Sequence, residues 1–265
     1  MVTRLWHEGD GNYRHTLQST GAHGPHRWSC PCELYCSCGQ VRPVTVIAAI
    51  LFDLDGTLLD SAPDLVATLN HLRAREGLAA VPVAELRHFV SRGAVGLIKA
   101  GMPPCSDETL ASWKEAFLDH YEQNSFVHSR PFDGVERLLS DLAGRNIPWG
   151  VVTNKMEYLS FPILEKAGWL ASTAAVICGD TVTRGKPHPE PVLAACKKIG
   201  VVPENTLMVG DDLRDVEAGR RAGSLTAFAL YGYADRESQS EISDGTALIN
   251  TPEEILSLLD NSGSR

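Results

Sequence analysis

The chain of 265 residues lacks any apolar run near the ~20 residues that a membrane-spanning helix needs, so we expect no membrane association. It also lacks a basic excess: 24 Lys and Arg face 33 Asp and Glu, a formal net charge of −9. An acidic surface disfavours nucleic acid and anionic lipid, so neither is an expected partner. No apolar stretch follows the basic residues of the N-terminus, which predicts no secretory signal and a cytoplasmic location.

The first 43 residues show neither helical nor strand periodicity and are rich in Gly, His, Ser and Cys, which predicts a disordered extension. A C-x-C-x3-C-x-C cluster offers thiolates for zinc, although one nine-residue segment would make a cramped site: Cys30, Cys32, Cys36 and Cys38. A third interpretation is that these residues are not native. No methionine lies between Met1 and Met102, and a start at Val44 or Val46 would leave the folded pattern intact.

A nearly continuous apolar run, Val44–Phe52, predicts a buried central strand of a parallel sheet. After residue 134 the pattern alternates between helices and strands. The predicted strands cover 148–153, 174–178, 206–209 and 225–229, and the predicted helices cover 135–143, 159–166, 189–199, 212–222 and 252–259. This rhythm is typical of an α/β protein with a doubly wound, Rossmann-like parallel sheet.

Residues 62–125 interrupt the alternation with helical patterns at 64–76 and 113–121. Ser61 is the predicted N-cap of the first of these helices, and Pro63 suits its first turn. We therefore expect a core domain of residues 44–62 and 126–265. A small helical cap, residues 63–125, is inserted after the first strand.

Polar residues follow the predicted strands at their carboxyl ends, where doubly wound folds bind ligands. Asp53 and Asp55 follow the first strand, Thr153 the second, and Asp211 the fourth, with Asp215 four residues later. Four converging carboxylates would raise one another's pKa values, and a hard cation such as Mg²⁺ would relieve the repulsion. Lys186 and nearby backbone N–H groups would receive a phosphate dianion.

The Asp-x-Asp spacing supplies one carboxylate that can attack phosphorus and a second that can protonate the leaving oxygen and later deprotonate water. The segment Phe52–Ser61 resembles the first motif of the haloacid dehalogenase superfamily of phosphatases. Val151–Lys155 resembles its second motif, Lys186–Pro189 the third and Val209–Asp215 the fourth. The cap position is similar to that of the phosphoglycolate phosphatase branch, and several stretches look closer to N-acetylmuramic acid 6-phosphate phosphatases.

The resemblance implies a Mg²⁺-dependent phosphatase for a small phosphorylated metabolite. It makes Asp53 the nucleophile and a metal ligand. Asp55 would be the general acid and base, with its backbone carbonyl on the metal. Asp211 would be a direct metal ligand, and Asp215 would act through water or orient Lys186.

The resemblance also implies that Thr153 and Asn154 bind phosphate through hydroxyl and backbone N–H groups, and that Lys186 holds Asp53 and the phosphate. Lys155 is predicted to be solvated or substrate-facing rather than catalytic. Asp212 is either a helix cap or a metal ligand. In the cap, Arg92 precedes Gly93 between two helical stretches and is a candidate reader of a substrate carboxylate.

Rival functions are a dehalogenase, a β-phosphoglucomutase-like phosphotransferase and a non-catalytic binding module. A dehalogenase needs neither a leaving-group acid nor a metal site, so Asp55, Asp211 and Asp215 argue against it. A binding module would be expected to have lost Asp53 or Asp55. The phosphotransferase, the choice between the two phosphatase substrates and the oligomeric state, monomer or homodimer, stay open.

Overall fold

The protein is represented by a computed structural model, which describes residues 46–234, 242 and 245–263. The predicted extension 1–43, with its cysteine cluster and zinc interpretation, lies outside these residues. Within the described ranges, no helix has the length and apolar character needed to cross a membrane.

Six parallel strands form the central sheet: β1 (Ala49–Phe52), β4 (Trp149–Val152), β5 (Ala175–Ile177), β6 (Thr206–Gly210), β7 (Leu225–Ala229) and β8 (Ala247–Ile249). Their order is β5-β4-β1-β6-β7-β8, which confirms the predicted doubly wound sheet. Strand β1 lies between β4 and β6, with Ile50 opposite Trp149 on one side and Leu207 on the other. The first strand is shorter than predicted, because residues 46–48 precede it without joining the ladder.

Side chains of β1 alternate between the two faces of the sheet, as the two-residue period of a strand requires. Ile50 and Phe52 pack in one apolar cluster, whereas Leu51 packs in the other with Val152 and Met208. Helices cover both faces: α5 (Val135–Gly144), α6 (Glu157–Lys166), α7 (Glu190–Ile199), α8 (Leu213–Ala222) and α9 (Glu254–Gly263). Because both faces are covered, the central strands are fully buried and consist almost entirely of apolar residues.

Four α-helices and one 3₁₀-helix lie between β2 (Leu59–Asp60) and β3 (Arg130–Pro131), which pair antiparallel. They are α1 (Ala62–Arg75), α2 (Val83–Leu86), the 3₁₀-helix Arg87–Arg92, α3 (Gly93–Gly101) and α4 (Asp107–Asn124). We call them the inserted helices. Their shared interior includes Leu69, Leu97 and Phe117, which are buried.

Ser61 precedes α1 as predicted, and Pro63 lies in its first turn, but the Ser61 side chain does not cap the helix. The residue is buried, and its backbone N–H donates to the Tyr233 hydroxyl at 2.6 Å. The same hydroxyl accepts the backbone N–H of Ala62 at 3.0 Å. A tyrosine from the end of the sheet therefore satisfies the first free N–H groups of the helix, and the predicted serine cap is wrong.

The chain enters and leaves the inserted helices at two adjacent points, which a buried carboxylate joins. Asp64, in the first turn of α1, is 2% exposed. Its two oxygens accept the backbone N–H groups of Val127, His128 and Ser129 at 2.7–3.0 Å and the Ser129 hydroxyl at 2.5 Å. This carboxylate fixes the returning segment against the start of α1.

Candidate active site

The predicted site residues meet at the carboxyl end of the sheet. Asp53 and Asp55 follow β1, Thr153 follows β4, and Asp211 follows β6. Since β1 pairs directly with β4 and β6, these three strand ends adjoin. Lys186 reaches the same point from the loop between β5 and α7, where its Nζ donates to the Val152 carbonyl at 2.7 Å.

Lys186 joins two of the acidic residues in a buried ion-pair cluster. Its Nζ lies 2.9 Å from Asp53 Oδ1 and 2.5 Å from Asp215 Oδ1, and its side chain is 3% exposed. Burial alone would lower the pKa of Lys186, but the carboxylates of Asp215 and Asp53 reverse the effect and raise it. Lys186 is therefore a cation held between Asp53 and Asp215.

Asp211 is buried beside these groups but has a different set of partners. Its Oδ1 accepts the Thr57 hydroxyl at 3.1 Å, and its Oδ2 accepts the backbone N–H of Tyr233 at 2.9 Å. Gly56 packs so closely that a Cβ there would lie 2.2 Å from Asp211 Oδ2, and its φ of +87° is one that favours glycine. Burial, followed by the charges of Asp53 and Asp215, raises the pKa of Asp211 well above its ordinary value.

These carboxylates fit a hard divalent cation. Asp53, Asp211 and Asp215 each offer an oxygen, and the three oxygens lie within 4.8 Å of one another. Together with Asp55, four carboxylates face two lysine ammonium groups, which leaves a formal charge of −2. Among the described side chains, no ion pair neutralises Asp211. An all-oxygen donor set with uncompensated negative charge is the kind that Mg²⁺ prefers.

Asp55 forms an ion pair with Lys155, which the sequence analysis did not place beside it. Lys155 Nζ lies 2.8 Å from Asp55 Oδ1 and 2.9 Å from the hydroxyl of Tyr121, on α4. The Lys155 side chain is only 8% exposed and lines the cavity, so it is not solvated, and the substrate-facing alternative stays a prediction. Burial alone would lower the pKa of Lys155, but Asp55 and Tyr121 raise it, and burial raises the pKa of Tyr121 to about 12. The pair is thus an ammonium ion beside a neutral phenol.

Thr153 and Asn154 lie next to the acidic cluster with different contacts. The Thr153 N–H donates to the Ile177 carbonyl at 2.9 Å, and its hydroxyl oxygen accepts the backbone N–H of Lys155 at 3.2 Å, so the hydroxyl proton is what Thr153 can offer a ligand. The Asn154 side chain holds the Lys186 backbone, accepting its N–H and donating to its carbonyl, both at 2.8 Å. Asn154 therefore positions the loop that carries Lys186.

Asp212 is the N-cap of α8, which decides between its two predicted roles. Its side chain accepts the backbone N–H of Arg214 at 2.9 Å, and Asp215 returns the capping-box contact to the Asp212 N–H at 3.1 Å. Both Asp212 oxygens also accept the Arg214 guanidinium, at 2.8 and 2.9 Å. That guanidinium donates in addition to the Ser91 carbonyl in the inserted helices.

A cavity of about 400 Å³ opens between the strand ends and the inserted helices. Asp53, Asp55 and Lys186 line its polar end. Apolar side chains line much of the rest, and they are Leu65, Val90, Leu97, Phe117, Leu118, Met156 and Leu159. Arg92 and Lys114 also reach the cavity from the inserted helices, and the Arg92 guanidinium lies 4.9 Å from the centre of the Phe89 ring.

Sequence reasoning missed contacts between the core and the inserted helices, among them Lys155–Tyr121 and Arg214–Ser91. Lys155 follows a strand end beside two predicted ligands, a position that could have marked it as a site residue. Tyr121 follows Phe117 by four residues, which indicates one buried helix face. Neither signal indicates which core residue that face meets.

The chain is similar to known proteins along most of its length. The haloacid dehalogenase-like hydrolase family matches residues 50–229. An N-acetylmuramic acid 6-phosphate phosphatase of Pseudomonas aeruginosa is 39% identical over 217 residues, which cover 82% of this chain and 96% of that protein. A phosphoglycolate phosphatase of Xylella fastidiosa is 42% identical over 214 residues, covering 81% and 92%.

Solved structures of other proteins share the fold of this chain. A predicted phosphoglycolate phosphatase from Haemophilus somnus superposes with a TM-score of 0.70 at 27% identity, over 80% of this chain and 97% of that one. A phosphatase from Clostridium difficile, at 19% identity, superposes with a TM-score of 0.71 and shows the shared fold. The family match over residues 50–229 contains the whole acidic cluster with Lys186.

Proposed function

Because the chain belongs to the haloacid dehalogenase-like hydrolase family, we propose that it is a Mg²⁺-dependent phosphatase of small phosphorylated metabolites, with Asp53 as nucleophile. One observation carries the proposal. The Asp53 carboxylate lies beside the Lys186 ammonium group and the carboxylates of Asp211 and Asp215. Asp55, two residues after Asp53, lines the same cavity. Phosphoryl transfer through a carboxylate needs a nucleophile, a proton donor and charge neutralisation, and each has a residue here.

In the first half-reaction a carboxylate oxygen of Asp53 attacks phosphorus. The ester P–O bond breaks, and the leaving oxygen takes the proton of Asp55. Lys186 holds Asp53 in place and faces the phosphate. The Thr153 hydroxyl and the Asn154 backbone N–H are proposed to bind the remaining phosphate oxygens.

In the second half-reaction a water oxygen bonds to phosphorus while Asp55 accepts its proton. The bond between Asp53 and phosphorus breaks, which releases inorganic phosphate and restores the carboxylate. Asp53, Asp211 and the backbone carbonyl of Asp55 would hold Mg²⁺, with Asp215 contributing through water or through Lys186. When bound, the ion neutralises charge on the phosphate oxygens.

The cavity favours one of the two candidate substrates. A two-carbon acid such as 2-phosphoglycolate would leave most of the 400 Å³ and its apolar wall without contacts. N-acetylmuramic acid 6-phosphate has a ring, an N-acetyl group and a lactyl carboxylate that could reach Arg92 or Lys114. We therefore propose the phosphorylated sugar acid as the better substrate. The size and composition of the cavity support this choice.

Steady-state kinetics with a substrate panel test the proposal. We expect release of phosphate from p-nitrophenyl phosphate with Mg²⁺ and its loss in EDTA. N-acetylmuramic acid 6-phosphate should be preferred over N-acetylglucosamine 6-phosphate, which lacks only the lactyl group, and over 2-phosphoglycolate. A preference for 2-phosphoglycolate would overturn the substrate but not the reaction. Conversion of β-glucose 1-phosphate to glucose 6-phosphate without release of phosphate would make the protein a phosphotransferase.

A further inference from the structure

The two aspartates of the Asp-x-Asp segment each have their own buried lysine. Lys186 holds Asp53 at 2.9 Å, and Lys155 holds Asp55 at 2.8 Å. Lys186 comes from a matched motif and already has a role in the proposed function. Lys155 does not, although its side chain is nearly as buried, 8% exposed against 3%. Burying an ammonium ion costs free energy even when it is paired, so we looked for a function of Lys155 in the site.

Lys155 contacts only one of the two Asp55 oxygens. Its Nζ pairs with Oδ1, and among the described residues no hydrogen bond involves Oδ2. The Asp55 side chain is 19% exposed and lines the cavity. A carboxylate held through one oxygen has a restricted rotamer and presents the other oxygen in a defined direction. That second oxygen is the one available to a leaving group in the cavity.

Tyr121 fixes the lysine in turn. Its hydroxyl lies 2.9 Å from Lys155 Nζ, and the ring is 1% exposed beside Phe117 on α4. The ammonium group is therefore held between a carboxylate of the core and a phenol of the inserted helices. The contact makes the position of Lys155 depend on where α4 lies against the core.

We propose that Lys155 is the positioning residue of the acid–base group Asp55, and that Tyr121 supports it from the inserted helices. This inference rests on the proposed function, because it gives Asp55 the proton transfer to the leaving oxygen. Misplacement of a reacting group by about 1 Å can cost ~100-fold in rate. Loss of Lys155 should therefore affect the step that uses Asp55 and spare substrate binding.

The first experiment compares two substrates of nearly the same shape. Phenyl phosphate needs a proton for its leaving oxygen, whereas p-nitrophenyl phosphate has a good leaving group. Lys155→Met keeps most of the side-chain length and removes the charge. We expect the single-turnover rate of phenol release from phenyl phosphate to fall about 10- to 100-fold and that of p-nitrophenol release from p-nitrophenyl phosphate by less than about threefold. Both rates precede hydrolysis of the phosphoenzyme, in which Asp55 would act on the two substrates alike. The concentration that gives half of the maximal rate should stay within about threefold for both. Lys198→Met, on the exposed surface of α7, is the matched control.

The second experiment asks whether Lys155 acts through Asp55. In an Asp55→Asn background, Lys155→Met should change the single-turnover rate for phenyl phosphate by less than about threefold, because the group that it positions is already absent. Tyr121→Phe removes only the hydroxyl and should lower the single-turnover rate of phenol release from phenyl phosphate by about three- to tenfold, with the same leaving-group dependence. It tests the inference even if Lys155→Met fails to fold, which circular dichroism would reveal.

Equal losses of the single-turnover rate for both substrates, or additive losses in the double variant, would overturn the inference. So would an unchanged single-turnover rate for phenyl phosphate in either Lys155→Met or Tyr121→Phe. None of these results affects the proposed function, which depends on Mg²⁺-dependent hydrolysis by the wild-type protein. If the wild type itself releases no phosphate, the proposed function fails first, and that outcome is visible before any variant is made.

Discussion

Asp53 is the residue on which the proposed chemistry depends most directly. Asp53→Asn preserves the side-chain shape and its contact with the Leu54 N–H, but an amide cannot attack phosphorus. We expect kcat to fall by roughly 10⁴-fold or more, with the melting temperature within a few degrees of wild type. Acid-quenched wild type should carry a hydroxylamine-labile phosphate that the variant lacks.

Asp119→Asn is the control for Asp53, because Asp119 is exposed on α4 and outside the cavity lining. It should leave kcat and the phosphoenzyme unchanged. If Asp53→Asn kept near-wild-type turnover, or if no phosphate were trapped on the wild type, the covalent mechanism would be wrong.

Arg92 is the candidate reader of a substrate carboxylate. Its guanidinium stacks near Phe89 at the edge of the cavity, and Gly93 follows with a φ of +70°. A hydrogen-bonded charge pair is typically worth ~1.5–3 kcal/mol, so Arg92→Ala should lower kcat/KM for N-acetylmuramic acid 6-phosphate by at least about tenfold. The value for p-nitrophenyl phosphate, which has no carboxylate, should change by less than about twofold.

Arg75→Ala is the control for Arg92, since Arg75 is exposed at the end of α1 and does not line the cavity. Parallel losses on both substrates in Arg92→Ala would mean that the residue supports the fold or the phosphate. No loss on either would mean that another group, such as Lys114, contacts the carboxylate.

Predictability from sequence differs sharply between the two buried lysines. Lys186 and the Asp-x-Asp segment could be placed together from the sequence, because the carboxyl ends of parallel strands lie at one edge of the sheet. The Asp-x-Asp segment follows a strand end, and Lys186 lies in a loop at the same edge. The burial of Lys155 could not be predicted, because it depends on Tyr121, which is 34 residues away on a helix. A local pattern shows that a helix face is buried but not which side chain of another element covers it.

At the scale of elements, Asp64 joins α1 to the segment that returns to the sheet. Asp64→Asn replaces one acceptor oxygen with an amide group, which faces either the N–H of His128 or the N–H groups of Val127 and Ser129. Leaving buried donors without an acceptor costs free energy, so we expect a loss of about 3 kcal/mol in the free energy of unfolding. Urea denaturation followed by circular dichroism measures it.

Asp133→Asn makes the same chemical change at an exposed position and should alter the free energy of unfolding by less than about 0.5 kcal/mol. A loss for Asp64→Asn no larger than for Asp133→Asn would mean that the four hydrogen bonds contribute little. The comparison also removes any general effect of lowering the net negative charge.

Elements with a strong period were predicted within one or two residues, as for α5 and β7. The short strand β5 was predicted equally well, but the edge strand β8 was not predicted. Strand β8 has three residues, and its central Leu248 is 53% exposed at the sheet edge, so it shows little of the apolar signal of a buried strand. The predicted serine cap of α1 failed for another reason. Ser61 has the residue type of a cap, but Tyr233, 172 residues away, satisfies the helix N–H groups.

At the scale of the whole molecule, we propose that residues 63–125 act as a cap domain over a core of residues 44–62 and 126–265. The cavity lies between the strand ends and the inserted helices, and both sides contribute lining residues. In this proposal, phosphate transfer and substrate selection are carried out by different parts of the chain. The strand ends carry the phosphate and metal groups, and the inserted helices supply the apolar wall and Arg92.

The last prediction concerns residues 1–43, for which composition predicts disorder. Every described element begins at or after Ala49, and the first main-chain hydrogen bond among the described residues is the Ala48 N–H donating at 2.7 Å to the carbonyl of Asn205, just before β6. The family match begins at residue 50. A chain starting at Val44 keeps all of these contacts, so we expect kcat/KM within about twofold and a melting temperature within about 3 °C of the full chain. A fall of more than about 10 °C, or about one equivalent of zinc bound to the full chain and absent from the truncated one, would show instead that the extension is a structural part of the protein.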